Sequence, residues 1–269
     1  MPDELGVDQI KASLSGTFGV HIRYFDAIGS TNTEASDWAA RGAPHGSVVV
    51  TDHQTGGRGR WGRTWFSAPR KLLQFSLILR PDLEAARHGL LTAGLGVACA
   101  RAIRATSRLA VQVKWPNDVV LEGRKLAGLL VESSMIAGKI TVAVCGIGIN
   151  VHLTAADIPD DLGTTASSLA TEAARTRGAC VPERARLLAA ILREIELLYP
   201  SITGDPAAVL DAASELSCVL GRDVTIRHAD GAIATGRAER FDDDAALMLA
   251  TDEGAVRIQV GEIEQLRAS

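Results

Sequence analysis

Gly57-Arg58-Gly59-Arg60-Trp61-Gly62-Arg63-Thr64-Trp65 is the stretch on which the fold turns, and it follows an apolar run, Val48-Val49-Val50. Gly57, Gly59 and Gly62 spell GxGxxG, which between a strand and a helix would signal a doubly wound dinucleotide-binding sheet. The strand is present, but residues 63–69 (RTWFSAP) make a poor helix start, and the arginines between the glycines crowd a tight phosphate turn. A Rossmann fold is therefore rejected. No GxxxxGK(S/T) occurs either, which excludes a P-loop. What remains is a glycine-freed backbone carrying planar cationic forks. Alone, it reads equally as a solvated basic loop or as a wall for an anionic ligand.

Outward from this loop, residues 20–27 (VHIRYFDA) and Ser47 to Asp52 read as strands, with a helix between them to about Arg41. Ser30, Thr31, Asn32 and Thr33 offer that helix capping groups. Residues 71–80 form a strand stopped by Pro81, and a helix is expected from about Leu83 to Ala105. Val111 to Trp115 is a short strand ended by Pro116. A hairpin of Val119–Leu121 and Leu126–Glu132 follows, then a strand from Ile140 to Ile149. Residues 153–179 look loop-like with one short helix. Helices cover 182–199, with Pro182 in the first turn, and about 206–216. Beyond Cys218, short strands at 222–228, 232–240, 245–251 and 254–260 suggest a small all-β module. The pattern is α+β: a mixed, mostly antiparallel sheet with helices, then a small barrel.

A 269-residue chain with 46% hydrophobic and 22% charged residues suits one large domain, or one plus a small satellite. Its net charge of -4 argues against coating nucleic acid. Cys99, Cys145, Cys180 and Cys218 lack zinc spacing and read as buried thiols in a reducing compartment. No secretory leader or membrane span is evident, so a cytoplasmic protein without a membrane partner is expected.

Three further stretches carry chemistry. Lys114-Trp115-Pro116-Asn117-Asp118 aims a carboxamide and a carboxylate off a strand end, either a plain turn or a place for hydrated Mg²⁺ beside phosphates. Lys125, in Gly123-Arg124-Lys125-Leu126-Ala127-Gly128, is either a hairpin lysine reaching water or a cation pointing into a pocket. Gly146-Ile147-Gly148-Ile149-Asn150 marks either a bulge or a strand on which a ligand lies flat. His53 reads as structural. No Ser/His/Asp or Cys/His grouping supports covalent catalysis.

In this order, with Gly29-Ser30-Thr31-Asn32, His53 to Trp65 and Ala166-Ser167-Ser168-Leu169, these segments resemble the biotin protein ligases. The resemblance implies a class II aminoacyl-tRNA-synthetase-like catalytic domain in residues 1–217 and an SH3-like β-barrel in 218–269. It implies that biotin is joined to ATP as biotinyl-5′-AMP and passed to a lysine of a biotin carboxyl carrier domain of acetyl-CoA carboxylase or a related carboxylase. Ser30, Thr31, Asn32, Gln54, Arg58, Gly59, Arg60 and Lys125 would bind biotin. Arg58, Arg60, Arg63, Trp65, Asn117, Lys125 and Asn150 would bind ATP. Lys125 and Arg60 would be catalytic, and Asp118 would sit near Mg²⁺ arriving with ATP, with no tightly bound prosthetic group.

Trp61, Thr55-Gly56 and Ala166-Ser167 depart from the residues usual in the family. Too few residues precede residue 20 for the helix-turn-helix domain that some members carry, so no DNA partner is expected. A sheet edge in the 140–149 region could pair two copies as a homodimer. The related lipoate ligases typically show Arg-Arg-x-x-Gly-Gly-Gly, which this chain lacks.

Overall fold

A computed structural model describes residue 3, residues 5–163 and residues 165–266. In chain order the elements are α1 (Val7–Ser13), β1 (Ile22–Phe25), α2 (Thr31–Ala40), β2 (Ser47–Thr51), β3 (Leu72–Leu79), β4 (Leu83–Glu84), α3 (His88–Ser107), β5 (Gln112–Lys114), β6 (Asp118–Leu121), β7 (Arg124–Ile136) and β8 (Lys139–Asn150). Then come α4 (Leu169–Arg175), α5 (Arg184–Thr203), α6 (Ala207–Leu216), β9 (Asp223–Arg227), β10 (Ile233–Phe241), β11 (Leu247–Thr251), β12 (Gly254–Ile258) and β13 (Glu262–Leu266). Short 3₁₀ turns occupy Arg60–Gly62 and Ala85–Arg87.

The first eight strands form a mixed sheet in the order β1-β2-β3-β8-β7-β6-β5, with β4 pairing β8. Only β1 and β2 run parallel. Side chains alternate across a strand, and that alternation sorts the faces. On β3, Leu73, Phe75, Leu77 and Leu79 join the main core with residues of α3 and α5, while Gln74, Ser76 and Ile78 face the other way. Ile78 packs there with Val49, Val144 and Ala35 and Ala39 of α2. Gly94 lets α3 approach α5 closely, since a Cβ there would lie 2.5 Å from Ile202.

β9 to β13 form a separate antiparallel sheet, ordered β12-β11-β10-β9-β13. Its core of Val224, Ile226, Leu247, Leu249, Ile258 and Ile263 takes in Trp115 and Val120 from the first sheet. Trp115 Nε1 donates to Ala245 O at 3.3 Å, and the Trp115–Pro116 peptide is cis. The two sheets therefore share a packed seam at the end of β5.

Several expectations need correction. Leu83 starts no helix: Leu83 and Glu84 pair with Ile140 and Lys139, and the helix begins at His88. Pro182 precedes α5, whose N-cap is Glu183. Ser30 takes the N-cap position of α2 but its side chain makes no capping bond. Cys180 is exposed; the other three thiols are buried. The stretch 140–149 offers no edge for a homodimer, because β8 is flanked by β3 and β7. β13 was not foreseen. No helix among the described residues is long and apolar enough to cross a membrane.

Candidate active site

The face of the first sheet that carries Gln74 and Ser76 opens into a cavity of about 590 Å³. Every residue expected at the site lines it: Ser30, Thr31, Asn32, Gln54, Arg58, Gly59, Arg60, Arg63, Trp65, Asn117, Asp118, Lys125 and Asn150. Segments up to 120 positions apart in sequence thus share one space.

The floor follows from strand register. Gly148 of β8 pairs with Gly128 of β7, and Gly146 pairs with Leu130, so these residues share a face with Asn150. Two glycines leave room for an aromatic ring on bare backbone. A Cβ on Gly148 would lie 2.6 Å from the Trp65 ring and one on Gly128 2.8 Å from it. Trp65 Nε1 is buried without a hydrogen-bond partner, an orphan donor of the kind a ligand acceptor satisfies.

One end is a chain of neutral polar groups that finishes on the Glu132 carboxylate. The Thr31 N–H donates to Gln54 Oε1 at 2.8 Å, so the Gln54 amide caps α2 where Ser30 does not. Gln54 Nε2 donates to Gln74 Oε1 at 3.0 Å, and Gln74 Nε2 to Ser67 Oγ at 2.9 Å. Ser76 Oγ donates to Asn32 Oδ1 at 2.6 Å, and Asn32 Nδ2 to Glu132 Oε2 at 2.8 Å. Each amide is thereby fixed in orientation. His53 Nδ1 lies 3.0 Å from Ser67 Oγ, as befits a structural histidine.

The cations line the rest. Arg58 pairs with Glu132 at 3.0 Å, Lys125 with Asp118 at 2.6 Å, and Arg63 with Glu262 at 2.5 Å. Arg60 has no ion pair among the described residues; its Nη1 donates to Asn117 Oδ1 at 3.2 Å and Gly261 O at 3.1 Å. Burial pulls the Arg60 pKa down, with partial relief from Glu262 and Asp118. An anion arriving here would stabilise Arg60 more than its three neighbours, which already have carboxylates. Trp61 stands at φ 56, with Arg60 5.0 Å and Arg63 5.7 Å from its ring.

A bulge aims Lys125. Asp118 pairs with Gly128 and Val119 with Ala127, but Val120 pairs with Lys125, so Leu126 is an extra residue. That shift brings Lys125 and Gly128, three apart, onto one face, where strict alternation would separate them. Asn117 is tied to β7 in both directions: Nδ2 to Leu129 O at 2.8 Å, and its own carbonyl to the Leu129 N–H at 2.9 Å. Asn150 Nδ2 donates to Ser167 O at 2.9 Å. Among the described residues, no group of three or more His, Cys, Asp or Glu could hold a metal. Glu132 and Glu262, which partner Arg58 and Arg63, and Gln74 and Lys114 were missed from the sequence. Lys114 heads the quoted Lys114–Asp118 stretch without having been given a role, and Glu132 left a trace by alternating with Gly128 and Leu130 along β7.

A family model described as the biotin/lipoate A/B protein ligase family matches residues 24–150. The bifunctional ligase/repressor BirA of Bacillus spizizenii is 33% identical over 98% of this chain and 80% of that protein. The chain belongs to the biotin protein ligase family. The biotin–[acetyl-CoA-carboxylase] ligase of Mycobacterium tuberculosis is a further relative, 31% identical over 89% of this chain and 86% of that protein. Among solved structures, the biotin protein ligase from Aquifex aeolicus in complex with biotin and ATP superposes with a TM-score of 0.76 at 25% identity, covering 93% of this chain and all of that one. As a biotin protein ligase, this molecule has a reason to gather so many cations around neutral amides. Its reaction has to bring a carboxylate and a triphosphate together.

Proposed function

We propose that this biotin protein ligase divides its cavity between two substrates. The enzyme uses ATP to activate biotin as biotinyl-5′-AMP and passes the biotinyl group to a carboxylase. In step one the biotin carboxylate attacks the α-phosphorus and pyrophosphate leaves. In step two a lysine amine of a biotin carboxyl carrier domain attacks the mixed anhydride and AMP leaves.

The observation that carries this reading is the convergence of Arg58, Arg60, Arg63 and Lys125 on one cavity. Bringing two unit charges to 4 Å costs about 4 kcal/mol at an effective dielectric near 20, close to three decades in rate. Preplaced cations offset that repulsion. The carboxylate is already ionised, so step one needs no general base.

The hydroxyls of Ser30 and Thr31 and the oriented amides of Asn32 and Gln54 suit the neutral polar head of biotin. Arg58, Gly59 and Arg60 take its carboxylate and the phosphates, and Lys125 bridges both. Arg63, Trp65, Asn117 and Asn150 form the ATP side. Asp118 suits a magnesium ion entering with ATP: its Oδ1 is buried and, beyond the Lys125 ion pair, accepts no hydrogen bond. One carboxylate plus phosphate oxygens is a usual Mg²⁺ donor set, and the bound ion would neutralise phosphate charge. We read residues 1–217 as a class II synthetase-like catalytic domain and 218–269 as an SH3-like barrel, supported by the separation of the two sheets.

The test is biotin-dependent exchange of labelled pyrophosphate into ATP, with lipoate and octanoate in parallel. Exchange with biotin alone is expected. Exchange with lipoate but not biotin overturns the reading.

A further inference from the structure

Glu172 lies outside the cavity, yet it is 2% exposed, and a carboxylate that deep is costly unless charges and donors compensate it. Its compensation is specific. Arg124 donates from Nε to Oε1 at 3.1 Å and from Nη2 to Oε2 at 2.8 Å. Ser167 Oγ donates to the same Oε1 in a short hydrogen bond. Arg175, one turn along α4, adds a looser contact at 3.7 Å.

Both partners adjoin Lys125. Arg124 precedes it on β7, with its side chain on the opposite face, toward Glu172. Ser167 belongs to a segment that brackets the Lys125 backbone: the Lys125 N–H donates to Thr165 O at 2.8 Å and the Ser167 N–H to Lys125 O at 2.9 Å. The pairing continues as a parallel bridge between Lys125 and Ala166. The start of β7 is thus held on one side by β6, across the Leu126 bulge, and on the other by residues 165–167. Glu172 joins the two by gripping Arg124 and Ser167 together. A bulged strand is locally free to twist, and this grip removes that freedom where the lysine leaves the backbone.

We propose that Glu172 is a positioning residue for the adenylation step, acting through Arg124 and Ser167 to fix the Lys125 ammonium over the reacting phosphate. The proposal rests on the role given to Lys125 above. Misplacing a catalytic group by about 1 Å costs on the order of a hundredfold in rate, so a tether this close to the lysine governs kcat more than substrate binding.

The test is a double-mutant cycle on single-turnover pyrophosphate release with Glu172→Gln, Lys125→Ala and the pair, alongside thermal melting of each. Expected are a loss of about tenfold or more in kcat for Glu172→Gln, a biotin KM within a few-fold of wild type, and almost no further loss from Glu172→Gln when Lys125 is already Ala. That non-additivity is the signature of two residues acting as one unit. Equal losses in both backgrounds, or an unchanged kcat, overturn the clamp while leaving the role of Lys125 standing. Normal release by Lys125→Ala overturns that role and the clamp with it. Ser167→Ala repeats the cycle with a milder change should Glu172→Gln not fold, and the same outcomes apply.

Discussion

Arg63 and Glu262, 199 positions apart in sequence, meet fork to fork, with Nη1 to Oε1 at 2.5 Å and Nη2 to Oε2 at 2.6 Å. The glycine-arginine loop is thereby fastened to β13, the strand that closes the second sheet. Both side chains remain partly exposed, at 61% and 34%, and exposed pairs contribute only about 0.2–1 kcal/mol. The pair suits a latch that ligand binding can open rather than a structural bolt.

Replacing Glu262 with Gln should therefore change global stability by less than about 1 kcal/mol while speeding amide exchange across residues 57–65. The hydrogen bond from Arg63 holds the Glu262 carboxyl below its ordinary 4.5, against the opposing effect of burial. A depressed carboxyl contributes fully above its unfolded value and loses that contribution as pH falls through the folded one. Loop protection, corrected for intrinsic exchange rates, should stay flat from pH 8 to 5 and weaken only below. A steady decline between pH 8 and 5 would count against the latch.

Arg60 is the cation of the four whose own partners are neutral, so an adenylate phosphate should be its strongest partner. A hydrogen bond to a charged group contributes about 1.5–3 kcal/mol, which is about ten- to a hundredfold in retention. Arg60→Ala should form biotinyl-AMP but release it faster by that factor, measured by chasing labelled adenylate. Release at the wild-type rate would show that the guanidinium does not touch the intermediate.

The site was more legible than the fold's connections. The arginine loop, Asn117 to Lys125 and Asn150 could be picked out because chemistry-bearing residues cluster at strand ends with glycine or proline, which is local information; Ser30 to Asn32 and Gln54 were reached only through the family resemblance. Glu132, Glu262 and Glu172 could not, since each matters through a partner on a distant segment. β13 escaped because Glu262-Ile263-Glu264 has the acidic composition disfavoured in strands, and only pairing with β9 makes it one. Leu83 misled in the other direction. Its apolar neighbours continue the helical pattern of α3, but Asp82 turns with φ 44 and the chain first pairs with β8.

Gly148 gives the proposed ATP side a direct test. Ala is tolerable in a strand, but its Cβ would sit 2.6 Å from Trp65 Cε2 and 2.7 Å from Nε1. The indole has to lift from the sheet, at an overpacking cost of about 1–3 kcal/mol. Gly148→Ala should raise the ATP KM about tenfold, a change of about 1.4 kcal/mol in binding, and shift Trp emission while circular dichroism is preserved. An unchanged ATP KM would remove Trp65 from the nucleotide side.

Arg184 supports the site from behind. Its side chain is fully buried; Nη1 donates to Asp52 Oδ1 at 2.6 Å and to Leu72 O at 3.2 Å, and Nε donates to Asp3 Oδ2 at 3.2 Å. It binds the residue just after β2, the first residue of β3 and the N-terminal segment into one knot, two residues before Gln54. Arg184→Ala would leave Asp52 with the Tyr24 hydroxyl at 3.0 Å and Arg70 at 3.7 Å as its remaining partners. Removing one member of a buried ion pair costs about 3–5 kcal/mol. Urea unfolding should show a loss of that size; a loss under about 1 kcal/mol would mean that Asp52 finds adequate compensation without Arg184.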